Sequence, residues 1–178
     1  MLRSSQASLS EHHCYAASAQ AEGMGTLVTG TAATYVEELT VRTNERREIL
    51  CLTSEVERVV RESGILDGLV LVNPMHITAS IYVNDLEYGL HQDLMDWLER
   101  VAPFGGPNGH DGPEYLHHRT GEDNGDAHLK RQLLGQQVTM PVRDGRLHLG
   151  TWEQIHYAEF DGRRPKRILI KVVGVVPA

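Results

Sequence analysis

The side chains best suited to chemistry in this chain are its histidines, which number ten among 178 residues. Eight of the ten fall between His76 and His156. Imidazole is the commonest metal ligand, and its ordinary pKa lies closer to neutrality than that of any other side chain. The concentration of histidine in this part of the chain therefore directs the search for a functional site to residues 76–156.

Three of these histidines occupy informative positions. His76 lies at a break in a hydrophobic stretch beside Thr78, His117 follows a segment rich in Gly and Pro, and His128 lies one turn into a predicted helix. Three imidazoles from three elements, with one position left for water, are typical of a catalytic zinc site. Their separations of 41 and 11 residues, however, match no compact metal-binding signature. Spacing alone therefore leaves a surface or core role open for each histidine.

The densest polar cluster is the sequence GEDNGDAHLK, which ends at Lys130. Its acidic residues crowd the start of a predicted helix, where the helix dipole stabilises negative charge, and Asp126 and Lys130 have the spacing of an i,i+4 ion pair. A well-capped helix would explain that pair. Asp123 and Asn124, close to His128, also suit metal binding or general-base catalysis. The same dipole is expected to disfavour the cationic form of His128.

Composition excludes several classes of protein. The chain has 17 Lys and Arg against 24 Asp and Glu, a net charge of −7, so we expect no nucleic-acid partner. No apolar run approaches the roughly 18–20 residues of a membrane span, and two cysteines are too few for a disulfide scaffold, so we expect a soluble cytoplasmic protein. A basic run, RRPKR (163–167), predicts a solvated turn, with binding of a phosphate or of an acidic partner surface as the alternative.

The chain divides into a short tail and one domain. Residues 1–24 are rich in Ser, Ala and Gln without hydrophobic periodicity, which predicts a disordered tail, and residues 25–178 are expected to form a single domain. Strands are predicted over 35–43, 48–52, 68–74 and 76–83, and about four more after residue 135.

Helices are predicted in three places. The first begins at a Ser54–Glu57 capping box and ends at Gly64; the others cover 86–101 and 124–134. A loop is predicted over 103–113, and Asp144-Gly145 predicts a tight hairpin turn. The pattern favours an α+β fold, with helices packed on one face of a mostly antiparallel sheet.

Four ordered segments resemble the YjbQ-like family. They are HITASIYVND (76–85), YLHHRTGEDNGDAHLKRQLLG (115–135), TMPVRDGRLHLGTWEQI (139–155) and YAEFDGRR (157–164). The resemblance covers about residues 34–174. Ile77 stands where the family has Thr, and Glu153 where it has Gln. Many members are labelled secondary thiamine-phosphate synthase, and others are of unknown function.

The resemblance implies a site and an assembly. It implies an α+β fold assembled as a homotrimer, with a pocket where subunits meet. A divalent metal, zinc or alternatively magnesium, would be held by His76, His117 and His128. Asp123 and Asn124 would be catalytic, and the substrate would contact Thr78, Asn84, Arg119, Lys130, Thr151 and Trp152. By residue type alone, Trp152 would instead be expected in the core.

Two functions follow from these expectations. The first is a metal-dependent enzyme acting on a small phosphorylated metabolite, such as a thiamine-phosphate synthase that joins a pyrimidine diphosphate to a thiazole phosphate. That chemistry ordinarily uses a hard ion held by carboxylates, whereas three histidines favour zinc. The alternative is a non-catalytic trimeric protein that binds a small ligand.

Overall fold

The structure is a computed structural model that describes residues 25–105 and 113–177. The tail predicted over 1–24 and most of the loop predicted over 103–113 lie outside the described residues. The disordered tail therefore stays a prediction, and so does the single domain.

Within the described residues, two strands, a helix, two strands, two α-helices and four strands follow one another along the chain. The strands are β1 (Thr31–Val41), β2 (Glu48–Cys51), β3 (Asp67–Pro74), β4 (Ala79–Asn84), β5 (Val138–Arg143), β6 (Arg146–Leu147), β7 (Gln154–Glu159) and β8 (Lys166–Val176). The helices are α1 (Thr53–Ser63), α2 (Tyr88–Val101) and α3 (Gly125–Leu134), with a 3₁₀ helix over Leu116–Thr120 before α3. The predicted order of elements is confirmed.

The strands form two sheets. A five-stranded sheet has the order β1-β8-β3-β5-β6, a three-stranded sheet has the order β2-β7-β4, and every described pairing is antiparallel. The predicted α+β class and antiparallel pairing are confirmed. The sequence predicts one sheet covered by helices, whereas the structure has a second sheet that packs on the first through the main core and contacts α2 and α3 on its other face.

The alternation of side chains along β7 explains this layering. Ile155 and Tyr157 pack into the main core, which they share with residues of α1 and both sheets. Ala158 and Phe160 point the other way and pack with Leu98 of α2. Because β7 is covered on both faces, nearly all its residues are buried, which is unusual for an antiparallel strand.

The ends of α1 and α3 confirm most of the predicted signals. Gly64 ends α1 with a left-handed backbone, and Asn124 precedes α3 at its N-cap position. The Ser54–Glu57 capping box was wrong, since α1 begins one residue earlier, at Thr53. The Thr53 hydroxyl instead accepts a hydrogen bond from the Ile155 amide, at 2.9 Å, which ties the helix to β7.

A pair of opposed glycines lets β3 and β8 pair closely. Gly68 and Gly174 are register partners, and a Cβ placed on Gly174 would lie 2.1 Å from the carbonyl oxygen of Asp67. That separation is far inside van der Waals contact, and a backbone atom cannot rotate away as a side chain can. Any side chain at this position must therefore displace the backbone.

We predict that Gly174→Ala lowers the free energy of unfolding by about 1–3 kcal/mol, the usual cost of overpacking. Urea unfolding measures the change. Gly25→Ala is the matched control, since a Cβ there meets nothing within 4 Å, and it should change stability by less than about 0.5 kcal/mol. Equal effects of the two substitutions would show that the close approach is unimportant.

Candidate functional site

A cavity of about 320 Å³ lies between the β3–β4 turn, the 3₁₀ helix, the start of α3 and the turn before β8. We call it the histidine cavity. It is lined by His76, Ile77, Thr78, His117, Glu122, Asn124, His128 and Arg164. The structure thus brings together the three histidines that the sequence singled out.

Two of the histidines are in ring contact. The ring centroids of His117 and His128 lie 4.6 Å apart, with an angle of 72° between the planes. Two imidazoles bound to one tetrahedral ion at a metal–nitrogen distance near 2.1 Å have ring centroids about 5 Å apart. The pair is therefore spaced as two ligands of one ion would be.

The third histidine is oriented by a hydrogen bond. Nδ1 of His76 lies 2.9 Å from the hydroxyl of Thr78, and that hydroxyl accepts a hydrogen bond of 2.8 Å from Nζ of Lys166. Metal-binding histidines usually have one ring nitrogen in such a bond, which directs the other toward the ion. The arrangement makes Nε2 of His76 the nitrogen available to a ligand.

Burial and neighbouring positive groups favour the neutral form of two of these rings. Burial lowers the pKa of His76, and the positive charges of Lys166 and Arg164 lower it further. Burial and the neighbouring His117 lower the pKa of His128. The expected direction for His128 agrees with the structure, although burial and His117 are the causes rather than the helix dipole. Neutral imidazole is the form that binds metal.

A buried ion pair contacts the wall of the histidine cavity through the hydrogen bond from Lys166 to Thr78. Nζ of Lys166 lies 2.5 Å from Oε1 of Glu159, and both side chains are 1% exposed. Lys166 also donates to the carbonyl oxygen of Asp161, at 2.9 Å. Glu159 accepts a bond of 2.6 Å from the Tyr157 hydroxyl and further bonds from two backbone amides. The full set of partners satisfies both buried charges.

Asp161 links this ion pair to α3. Its carboxylate accepts a hydrogen bond of 3.0 Å from Nδ2 of Asn124 and forms ion pairs with Arg46 and Arg164. Burial by itself would raise the pKa of Asp161, but the Asn124 bond and the positive charges of Arg164, Arg46 and Lys166 outweigh it and lower the pKa. Asp161 is thus a carboxylate that holds the wall of the cavity in place.

Some residues predicted for the site lie elsewhere. Asp123 is exposed, does not line the histidine cavity, and pairs with Arg46 at 3.2 Å. Lys130 is buried and bound to Asp126 at 2.6 Å and Glu99 at 2.7 Å, so the predicted i,i+4 pair is confirmed. With both partners in place, its ammonium group is not directed at a phosphate.

Three other predicted residues line a different cavity. Asn84, Thr151 and Trp152 surround a space of about 530 Å³, which we call the tryptophan cavity. Trp152 is 72% exposed, so the expectation from residue type that it lies in the core was wrong. Arg119 is exposed and lines neither cavity. Of the six predicted substrate residues, Thr78 therefore lines the histidine cavity, three line the tryptophan cavity, and Arg119 and Lys130 line neither.

Ile77 and two charged residues of the histidine cavity were not predicted for the site. Arg164 belongs to the basic run whose default interpretation was a solvated turn, and Glu122 was treated only as part of a helix start. The basic run is the signal for Arg164, since phosphate binding is its alternative interpretation. Nothing in the local sequence distinguished Glu122 from its acidic neighbours.

The donor set fits a borderline metal ion, although the side chains are not closed around one. Among the residues that the structure describes, no three His, Cys, Asp or Glu side chains form a group with metal-binding geometry. The three imidazoles nonetheless line one cavity, two of them in contact. Coordination by all three would require these side chains to come closer together.

Comparison with known proteins identifies the family. Residues 37–175 match the family model described as UPF0047 protein YjbQ-like. A UPF0047 protein of Archaeoglobus fulgidus is 42% identical over 136 residues, which cover 76% of this chain and 99% of that protein. The UPF0047 protein YugU of Bacillus subtilis is 33% identical over 140 residues, 78% of this chain and 99% of YugU.

Solved structures agree. A YbjQ-like protein of unknown function from Sulfolobus solfataricus P2 is similar with a TM-score of 0.73 and 31% identity, over 81% of this chain and 99% of that one. A hypothetical protein from Aeropyrum pernix K1 is similar with a TM-score of 0.70 and 31% identity, over 79% and 98%. The chain therefore belongs to the YjbQ-like family, as its motifs indicated. No helix in the described parts of the chain is long and apolar enough to cross a membrane.

We predict that Lys166→Met lowers the free energy of unfolding by about 3–5 kcal/mol, because it leaves Glu159 charged and buried without its partner. Guanidinium unfolding measures the loss. Arg167→Met is the control: Arg167 pairs with Glu38 at 2.8 Å on the surface, and removing it should cost less than about 1 kcal/mol. Similar losses for both variants would mean that burial of the Lys166 pair does not matter.

Proposed function

We propose that this YjbQ-like protein is a metal-dependent enzyme that acts on a small phosphorylated metabolite. The observation that carries the proposal is the meeting of three imidazoles and one guanidinium group at a single cavity. The imidazoles supply metal donors, and the guanidinium group supplies a phosphate partner. The presence of a free, exposed thiol at Cys51 accords with a cytoplasmic location, which is part of the proposal.

In this proposal His76, His117 and His128 hold the ion. Nitrogen donors favour zinc or a similar borderline ion, whereas magnesium prefers oxygen ligands, so zinc is the first choice. Bound there, such an ion supplies a Lewis acid for a phosphoryl or carbonyl oxygen and lowers the pKa of water. With Nδ1–H of His76 donating to the Thr78 hydroxyl, that ring is kept in one orientation and the lone pair of Nε2 is left for the ion.

The other lining residues bind and orient the substrate. Arg164 is half exposed, so its guanidinium group can turn from Asp161 and donate two hydrogen bonds to a phosphate. Oδ1 of Asn124 is buried and has no hydrogen-bond partner among the described residues, which suits an acceptor for a substrate donor. Glu122 takes the role of general base in this proposal, since it lines the cavity and Asp123 does not.

Thiamine-phosphate synthesis is the first specific activity to assay. In that reaction the thiazole nitrogen attacks the methylene carbon of a pyrimidine diphosphate, and diphosphate leaves with the bonding electrons. The three-histidine donor set equally suits metal-assisted hydrolysis of a phosphorylated compound. A panel containing both classes of substrate therefore covers the chemistry that the cavity supports.

A binding protein without catalysis is the second candidate. It is favoured by one observation, that no described group of three side chains is closed around a metal position. In that case the contacting rings of His117 and His128 would hold a ligand by stacking and hydrogen bonds. Metal content of the purified protein separates the two candidates.

We further propose that the protein is a homotrimer whose site is completed by a neighbouring subunit. Four of the six predicted substrate residues are divided between the histidine and tryptophan cavities, and exposed apolar side chains accompany both. Trp152 is 72% exposed and Ile77 is 62% exposed. If the rim of the histidine cavity of one copy packed against the rim of the tryptophan cavity of another copy, both side chains would be buried. The two halves of the site would then be joined.

We predict that His128→Ala lowers zinc affinity by about 10- to 100-fold or more, because it removes one of three ligands from the cavity. Equilibrium dialysis followed by elemental analysis measures the bound metal. The fold should persist, since α3 retains its other contacts. His148→Ala is the matched control: His148 is exposed, lines neither cavity, and should leave zinc content unchanged. If His128→Ala binds zinc as the unaltered protein does, the three-histidine site is wrong.

For the assembly, we predict a mass near three times the 19.9 kDa of one chain by light scattering at micromolar concentration. Trp152→Glu should release monomers, because a charge would be buried in the contact. Tyr88→Glu changes another exposed aromatic side chain, on α2, and should leave the trimer intact. A mass of one chain for the unaltered protein would refute the trimer.

A further inference from the structure

Two further histidines and a tyrosine form a second aromatic cluster, which lies between α2 and the three-stranded sheet and away from the histidine cavity. Tyr82 of β4 and His156 of β7 are register partners whose rings stack with centroids 5.1 Å apart. His91, in the first turn of α2, meets the His156 ring edge to face, with centroids 4.8 Å apart. Three elements thus bring three rings into one cluster.

Each ring of this cluster has a buried polar atom without a hydrogen bond. Nε2 of His91, Nδ1 of His156 and the hydroxyl of Tyr82 have no partner in the part of the chain that the structure describes. His156 is fully buried, and Tyr82 is nearly so. Buried polar groups in proteins are almost always satisfied, so three such atoms in one cluster are expected to meet a bound water or ion.

The hydrogen bond of His156 determines which nitrogen is the donor to a ligand. Nε2 of His156 lies 3.3 Å from the carbonyl oxygen of Asn84. A carbonyl oxygen can only accept, so Nε2 carries the hydrogen and Nδ1 has a free lone pair. A ring whose N–H is donated to a backbone carbonyl, with the other nitrogen bare, is the usual arrangement of a metal-binding histidine.

The spacing of the two imidazoles fits a shared ion. Two imidazoles on one tetrahedral ion have ring centroids about 5 Å apart at ordinary metal–nitrogen distances, and His91 and His156 lie 4.8 Å apart. His91 also lines a cavity of about 260 Å³ beside α2, and His156 does not, so an ion would enter from the side of His91. The imidazoles would leave the remaining coordination positions to water.

We propose that Nε2 of His91 and Nδ1 of His156 form a second binding site for a borderline divalent ion such as Zn²⁺. This site shares no residue with the histidine cavity, so it does not depend on the function proposed above. With two protein ligands instead of three, it should bind the ion more weakly than the histidine cavity. Tyr82, stacked on His156, holds that ring in place.

The test uses Zn²⁺ alone, titrated against a chromophoric chelator, in the full chain carrying His117→Ala and His128→Ala. That background removes two ligands from the histidine cavity and leaves the second site intact. We expect it to retain about one Zn²⁺ per chain. Adding His91→Ala should weaken that binding at least tenfold, and adding His148→Ala instead should leave it unchanged.

The inference is overturned if the background binds no Zn²⁺, or if His91→Ala leaves its affinity unaltered. Failure of the three-histidine site would look different, since the unaltered protein would then bind Zn²⁺ no more tightly than the background. Should His91→Ala fail to fold by circular dichroism, nitrogen NMR of the unaltered protein decides. Zn²⁺ must move the Nδ1 resonance of His156, and an unmoved resonance refutes the site.

Discussion

The buried ion pair between Glu159 and Lys166 is the contact on which the rest of the site depends. Glu159 ends β7 in the three-stranded sheet, and Lys166 begins β8 in the five-stranded sheet, so their bond of 2.5 Å joins the two sheets at one end. Removing two charges from water costs several kcal/mol for each, and only close geometry with additional hydrogen bonds repays it. The hydroxyl of Tyr157 supplies one of those bonds, and burial together with the Glu159 charge raises the pKa of Tyr157 well above its usual range.

This ion pair positions side chains that line the histidine cavity. Lys166 donates to the Thr78 hydroxyl, which in turn bonds the ring of His76, so a charge in the core determines the orientation of a side chain at the surface. The same ammonium group bonds the backbone of Asp161, whose carboxylate holds Asn124 at the start of α3. Two walls of the cavity are therefore positioned by one lysine, and its charge also helps to keep His76 neutral.

The sequence predicted the features that depend on interactions between neighbouring residues. Gly64 and Asn124 mark helix ends, and Asp144-Gly145 forms its turn with both residues at positive φ, because these positions depend on nearby backbone. The division into two sheets depends on long-range pairing of β7, which no local pattern encodes. The three histidines were found by residue type and family resemblance. The prediction of Trp152 in the core was wrong because burial of a large side chain depends on what packs against it, and few side chains of this chain pack against Trp152.

The alternation of β7 connects the two groups of histidines. Glu159 faces the five-stranded sheet, while His156, three residues earlier, faces α2 on the opposite side. A strand that slips by one residue turns every side chain to the other face. Such a slip would bury His156 in the main core and expose Glu159 to α2, and neither would then have its partners. The ion pair at the end of β7 therefore fixes the register that also places His156 beside His91, so that one buried contact determines the geometry on both faces of the sheet.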